Sequence, residues 1–127
     1  MITAHQTKAP TFPKPKVLAI DFDGVLHDYK HPVDGRSMGE PMPNAVTMMQ
    51  KFQRRGFKLV IYTLRAAEFS NQAHVADWLR YYEIPFDEIT ATKPNAAVYI
   101  DDKAYRFTEW NDQLISDVYN ILGVEDD

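Results

Sequence analysis

The chain has 127 residues, of which 45% are hydrophobic and 13% aromatic, and its formal net charge is −4. This length and composition predict one domain with a packed core, and the charge gives no overall basic surface for nucleic acid. The absence of cysteine excludes disulfides, thiolate catalysis and cysteine zinc sites. Because the chain has no apolar run of membrane-spanning length and no apolar signal segment near its start, we expect a soluble, cytoplasmic protein without a membrane partner.

The first half of the chain contains one apolar strand followed by one helix. Residues 1–15 carry three prolines and no periodicity, which predicts a flexible lead-in to a single domain over residues 16–123. Val17 to Phe22 is an apolar run with β-branched members, typical of a buried parallel strand. A proline-rich loop follows over residues 27–43. Apolar residues at helical spacing then predict a helix from Asn44 to a stop at Gly56.

The second half alternates strands with helices. The sequence KLVIYT at 58–63 predicts a second strand, and Ser70 caps a helix that continues to about Tyr82. Two further strands are expected at 88–90 and 97–100, and a final helix at 111–122. This alternation predicts an α/β fold with a Rossmann-like parallel sheet flanked by helices on both faces.

Polar side chains stand where the three clearest strands end, and a lysine precedes the last of them. They are Asp21, Asp23, Thr63, Lys93, Asp101 and Asp102. Ligands of open parallel sheets bind beyond the carboxyl ends of the strands, so we expect these groups on one rim. Carboxylates suit Mg²⁺, and one of them can act as a nucleophile while another moves protons. The competing interpretation of each acid is a solvated strand end or turn.

Four short motifs occur in a fixed order: DFDGVL at 21–26, VIYT at 60–63, TKP around Lys93, and YIDD at 99–102. They resemble the four motifs of the haloacid dehalogenase superfamily of phosphohydrolases. The resemblance covers about residues 16–110. It is closest to small capless members and to the phosphatase half of polynucleotide kinase, in which the second motif is also followed shortly by an arginine.

The resemblance implies a role for each acid. Asp21 would be the nucleophile and a Mg²⁺ ligand. Asp23 would be the general acid and base and would offer its backbone carbonyl to the metal. Asp101 and Asp102 would complete the metal site; sequence does not decide which of them contacts the ion, and Asp102 is favoured.

The resemblance also implies a phosphate-binding set. Thr63 and Lys93 would bind phosphate oxygens, and Arg65 would contact the phosphate or a neighbouring group of the substrate. The segment between Lys93 and the last acidic pair is shorter than in many members of the superfamily. Lys58 and Lys103 are therefore kept as alternative partners of the nucleophile.

The intervals between the motifs hold loops, helices and a short strand, but no cap domain. The resemblance thus implies an open site that would accept a phosphorylated small molecule, a nucleotide or a nucleic-acid end. A second copy of the chain could supply a lid. The expected activity is that of a Mg²⁺-dependent phosphatase that hydrolyses a phosphomonoester through an aspartyl-phosphate.

A function of another class stays open. The same scaffold could bind phosphate or a nucleotide without catalysis, although the presence of both Asp21 and Asp23 counts against a degenerate site. A phosphorylated receiver domain uses similar residues, but their order along the chain disagrees. His27 and His31 lie near the expected site, and we expect surface or structural roles for both of them.

Overall fold

The structure is a computed structural model that describes residues 15–30 and 38–125. The expected lead-in, apart from Pro15, and His31 both lie outside these residues. These residues form four strands and three α-helices; a helix follows each of the first two strands, the third and fourth strands come one after the other, and a short 3₁₀ turn follows the second strand. In order they are β1 Val17–Asp21, α1 Ala45–Arg54, β2 Lys58–Tyr62, the turn Leu64–Ala67, α2 Phe69–Tyr81, β3 Glu88–Thr90, β4 Val98–Ile100 and α3 Asp112–Leu122.

All four strands belong to one parallel sheet with the order β3-β2-β1-β4. The chain therefore builds the sheet in one direction from β1 to β3 and then returns to place β4 on the other side of β1. The carboxyl ends of β1 and β4 meet where this order reverses, which is where ligands of such sheets bind. The α/β class and the parallel sheet flanked by helices are confirmed.

The main buried cluster lies on one face of the sheet, while Ala19 and Val60 are buried on the other. Leu18 and Ile20 of β1 are in register with Leu59 and Ile61 of β2, and the two-residue period of a strand points all four side chains to the same side. They form one buried cluster with residues of both α1 and α2: Met49, Val75, Trp78 and Leu79. By contrast, no residue of α3 is buried. None of the helices in the described residues is long and apolar enough to cross a membrane.

The start of α2 differs from the sequence prediction. The helix begins at Phe69, with Glu68 at the capping position, so Ser70 lies inside the first turn and does not cap it. Thr63 explains the difference, because its side chain accepts a hydrogen bond from the amide of Arg65 and so caps the 3₁₀ turn that precedes α2. That turn carries the chain from the end of β2 directly into the helix.

Candidate functional site

Three carboxylates meet beyond the ends of β1 and β4. Asp21 is the last residue of β1, while Asp101 and Asp102 follow β4 directly. Each residue offers one carboxylate oxygen, and these three oxygens lie within 4.8 Å of one another. Because β1 and β4 are paired in parallel, the sheet itself brings together acids that are eighty residues apart in sequence. We refer to these three residues as the acidic cluster.

The surroundings of Asp21 disfavour its negative charge. Burial has the largest effect and raises the pKa of Asp21 from its usual value of 3.8 to about 6, with further contributions from the nearby Asp101 and Asp102. One hydrogen bond, from the amide of Phe22 at 2.8 Å, acts in the opposite direction. A hard divalent cation would offset the repulsion among these carboxylates, and three carboxylate oxygens are a donor set that fits Mg²⁺.

The two acids after β4 differ in their hydrogen bonds. The oxygens of Asp101 accept hydrogen bonds from the hydroxyl of Tyr62 and from the amide of Lys103, and these bonds lower the pKa of Asp101. The carboxylate of Asp102 receives no bond from an amide or hydroxyl group in the described part of the chain. Asp102 is also the more exposed of the two. Both acids therefore belong to the cluster, and Asp102 keeps more of its oxygen lone pairs available.

Gly24 allows the chain to pass close to Asp102. It has a φ of +84°, a conformation that L side chains rarely adopt. A Cβ atom at this position would overlap the carboxylate of Asp102. The glycine of DFDGVL is thus required both by the turn after β1 and by the close approach of an acid from β4.

Asp23 lies outside the acidic cluster and binds two other side chains. Its Oδ2 accepts a hydrogen bond from Nε of Arg65 at 2.8 Å, and its Oδ1 accepts one from Nη2 at 3.1 Å. Nδ1 of His27 lies 2.7 Å from the same Oδ1. Burial raises the pKa of Asp23, but Arg65 and His27 outweigh it, so that the net pKa lies below the usual value. We call these three residues the Asp23 network.

His27 belongs to the Asp23 network, a position that the sequence analysis did not predict. It is fully buried, and its Nε2 accepts a hydrogen bond from the amide of Gly39 at 2.7 Å, so the proton is on Nδ1 and is donated to Asp23. The ring also stacks on Phe22 with a centroid distance of 5.0 Å. The only sequence signal was a histidine four residues after Asp23, inside an apolar turn. Its structural role agrees with the expectation.

Thr63 and Lys93 lie on the same side of the sheet rim as Asp21. They line a cavity of about 340 Å³ together with Asp21 and Tyr62. Thr63 is only 6% exposed, whereas the ammonium group of Lys93 rests 4.4 Å from the ring centre of Tyr99. Such a hydroxyl and ammonium beside a carboxylate could hold phosphate oxygens.

The alternative lysines have other positions. Lys58 begins β2, at the opposite end of the strand from Thr63, and its ammonium group pairs with Glu88 at 3.1 Å. Lys103 follows the acidic pair, and its amide donates a hydrogen bond to Asp101. Of the three lysines considered, Lys93 is the one that lines the cavity at Asp21.

The predicted site residues therefore form two groups. One contains the acidic cluster with Thr63 and Lys93, and the other pairs Asp23 with Arg65. Tyr62, which the sequence analysis did not single out, belongs to the first group because its hydroxyl donates to Asp101. Comparison of the chain with protein-family models, with curated proteins and with solved structures found no match.

Proposed function

We propose that this protein is a Mg²⁺-dependent phosphohydrolase that acts on a phosphomonoester, with Asp21 as its nucleophile. The observation that carries the proposal is the acidic cluster, in which three carboxylate oxygens lie within 4.8 Å of one another at the reversal of strand order. Such a concentration of negative charge is costly without a cation, and the donor set fits a hard one. The order of the four motifs, which resembles that of the haloacid dehalogenase superfamily, supports the same conclusion.

The chemistry proceeds in two displacements at phosphorus. A carboxylate oxygen of Asp21 attacks the phosphorus, the bond to the leaving oxygen breaks, and that oxygen takes up a proton. Water then attacks the aspartyl-phosphate, loses a proton to a base, and releases inorganic phosphate with Asp21 restored. Thr63 and Lys93 would hold phosphate oxygens during both steps. A bound Mg²⁺ would supply charge neutralisation between the carboxylates and the phosphoryl oxygens.

Asp23 is the group we propose for the proton transfers. The hydrogen bonds from Arg65 and His27 lower the pKa of Asp23 and keep its carboxylate ionised at neutral pH. This state supports the second displacement, in which a base must accept a proton from water. For the first displacement Asp23 must acquire a proton, and Arg65 would then have to release it.

One observation favours a second candidate function. Both oxygens of Asp23 accept hydrogen bonds from Arg65, and Oδ1 also accepts one from His27, so most of the hydrogen-bonding capacity of this carboxylate is used within the protein. A protein that binds phosphate or a nucleotide without hydrolysing it would have no need of a free acid there. The two candidates differ in one measurable respect, which is the release of inorganic phosphate.

The test is phosphate release from a panel of phosphomonoesters, measured with Mg²⁺ and with EDTA. The panel contains p-nitrophenyl phosphate, ribose 5-phosphate, mononucleotides and oligonucleotides phosphorylated at either end. Asp21→Asn should lose at least about 1000-fold in kcat because the nucleophile is gone. Asp112→Asn, which removes an exposed carboxylate at the start of α3, is the matched control and should retain full activity.

Three results would decide the matter. Activity that requires Mg²⁺ and disappears in Asp21→Asn supports the phosphohydrolase. Undiminished activity in Asp21→Asn would contradict the proposed mechanism. Binding of phosphate esters by the folded protein without any phosphate release would support the non-catalytic alternative.

A further inference from the structure

A second and larger cavity lies beside the Asp23 network. It has a volume of about 470 Å³, opens to solvent, and is lined by Met38, Gly39 and residues of α2. Arg65 lies at its edge, so the arginine that holds Asp23 also lines this cavity. Its size falls in the range of small-molecule binding pockets. We call it the α2 cavity.

One face of α2 supplies most of the wall. The lining residues of the helix recur at intervals of three and four, which places them on a single stripe. They include Asn71, His74, Val75, Trp78 and Tyr81 of α2, together with Tyr82, which directly follows the helix. Three of the six are large aromatic residues, and their rings are close together: Trp78 and Tyr82 are 5.0 Å apart, and Tyr81 and Tyr82 are 4.9 Å apart. Their planes are inclined to one another by 58° and 88°, so a flat ligand ring can stack on one exposed ring of the wall, that of Tyr81.

The aromatic residues do not all serve the core. Trp78 is 7% exposed and belongs to the buried cluster, and its indole N–H donates to the carbonyl of Gly39 at 2.9 Å. Tyr81, in contrast, is 76% exposed although it stands on the same face of the helix. Trp78 is therefore held in place at the base of the cavity by its packing and its hydrogen bond. The ring of Tyr81 stays accessible to a ligand.

Polar groups without partners complete the wall. The side chains of Asn71 and His74 make no hydrogen bond within the described residues, and both are exposed on the cavity face of α2. An amide and an imidazole can each donate and accept hydrogen bonds. A ligand ring that carries donors and acceptors at its edge would match them better than a plain hydrocarbon ring would.

From these observations we propose that the α2 cavity binds the base of a mononucleotide. The inference rests on the proposed function for the phosphate of that ligand, which would lie towards Arg65 and the acidic cluster. Stacking on aromatic side chains holds bases largely irrespective of their sequence. The cavity has one cationic wall residue, Arg65, and an acidic one, Asp77, so it lacks the basic track that a polynucleotide requires. A single nucleotide is the ligand class that fits.

Trp78 provides a direct readout of binding. The chain has two tryptophans, and Trp110, which is 83% exposed, can be replaced by phenylalanine so that Trp78 alone reports. In Trp110→Phe, adenosine should quench the fluorescence saturably, even with EDTA present, because the nucleoside needs neither metal nor catalysis. AMP, added to Trp110→Phe that also carries Asp21→Asn to prevent turnover, should do the same. Ribose 5-phosphate should leave the fluorescence unchanged.

A pair of substitutions on α2 tests whether this cavity is the binding site. Tyr81→Ala removes the exposed wall and should weaken adenosine binding about tenfold, the loss expected for one stacking partner. Phe69→Ala removes an aromatic residue that is 86% exposed on the same helix but outside the cavity, and should leave binding unchanged. No quenching by adenosine, or equal losses in the two variants, would overturn the proposal.

The two proposals fail separately. Adenosine binding that depends on Tyr81, in a protein that releases no phosphate, would support the cavity and contradict the phosphohydrolase. Phosphatase activity with equal kcat/KM for AMP and ribose 5-phosphate, unaffected by Tyr81→Ala, would support the phosphohydrolase and contradict the cavity.

Discussion

Asp21 and Asp23 are two residues apart, yet their environments are opposite. Asp21 faces two other carboxylates, and its burial raises its pKa to about 6. Asp23 faces a guanidinium group and an imidazole N–H, which together bring its pKa below the usual value. The difference arises because Asp21 still belongs to β1 and meets the end of β4, whereas the turn that follows directs Asp23 towards Arg65.

The contrast shows which of the two groups of residues has its charges balanced by the protein alone. The Asp23 network satisfies its own charges with a bidentate arginine and a buried histidine. The acidic cluster has hydrogen bonds for Asp101 and one amide for Asp21, but no cation within hydrogen-bond distance among the described residues. We therefore expect the network to stabilise the fold and the cluster to bind an external ion.

The largest expected effect is on folding stability and concerns the Asp23 network. His27→Ala should lower the free energy of unfolding by about 3 kcal/mol, because it leaves a buried cavity and removes two hydrogen bonds. Urea denaturation measures the change. His74→Ala removes an exposed histidine of α2 and should change stability by less than about 0.5 kcal/mol. Similar losses in the two variants would contradict a structural role for the Asp23 network.

The next effect concerns Gly24, which has a positive φ and lies against the acidic cluster. Gly24→Ala should cost about 2 kcal/mol through its positive φ and should also displace Asp102 and weaken Mg²⁺ binding. Gly56→Ala is the matched control: its φ is +89°, but a Cβ there meets nothing within 4 Å. It should lose similar stability and keep its affinity for Mg²⁺. Isothermal titration with Mg²⁺ separates the two variants, and equal affinities would exclude Asp102 from the metal site.

The smallest effect follows from the raised pKa of Asp21. Because this pKa changes from 3.8 in the unfolded chain to about 6 in the fold, the favourable contribution is present below pH 3.8 and is lost as the pH rises through 6. The full shift corresponds to about 3 kcal/mol, and solvent screening at this partly exposed group reduces it to about 1 kcal/mol. Metal-free Asp21→Asn should therefore be more stable than the original protein at pH 7 by about 1 kcal/mol.

The effect of Mg²⁺ on the same two proteins gives a second test of this prediction. A ligand that binds only the folded protein adds about 2.7 kcal/mol at a hundred times its dissociation constant. Saturating Mg²⁺ should thus make the original protein more stable than Asp21→Asn, which reverses their order. The thermal unfolding temperatures of both proteins, with EDTA and with Mg²⁺, measure this reversal in stability. An order that stays the same in both conditions would separate Asp21 from metal binding.

The sequence was sufficient for the strands and for the acidic cluster. The strands β1, β2 and β4 are apolar runs with clear ends, and the carboxyl ends of neighbouring parallel strands must share one edge, so the sequence alone places Asp21 and Asp102 together. The bounds of β3, Glu88–Thr90, also agree with the prediction.

The Asp23 network could not be obtained in the same way. Arg65 lies forty-two residues from Asp23, and its side chain reaches back across the rim to a partner that no periodicity indicates. The burial of His27 depends on Gly39 and Trp78, which come from other parts of the chain. The α2 cavity was missed for a related reason, since the helical stripe of Val75, Trp78 and Tyr82 looks the same whether it packs entirely into a core or partly lines a pocket.

The central claim is that Asp21 becomes phosphorylated while Asp23 serves the proton transfers. The direct measurement is mass spectrometry of the acid-quenched protein after brief reaction with a substrate and Mg²⁺. We expect a hydroxylamine-sensitive phosphoryl group on the peptide that contains Asp21, and a larger amount of it in Asp23→Asn, in which water is activated more slowly. Phosphate release with no phosphoryl group on Asp21 in either protein would contradict this account.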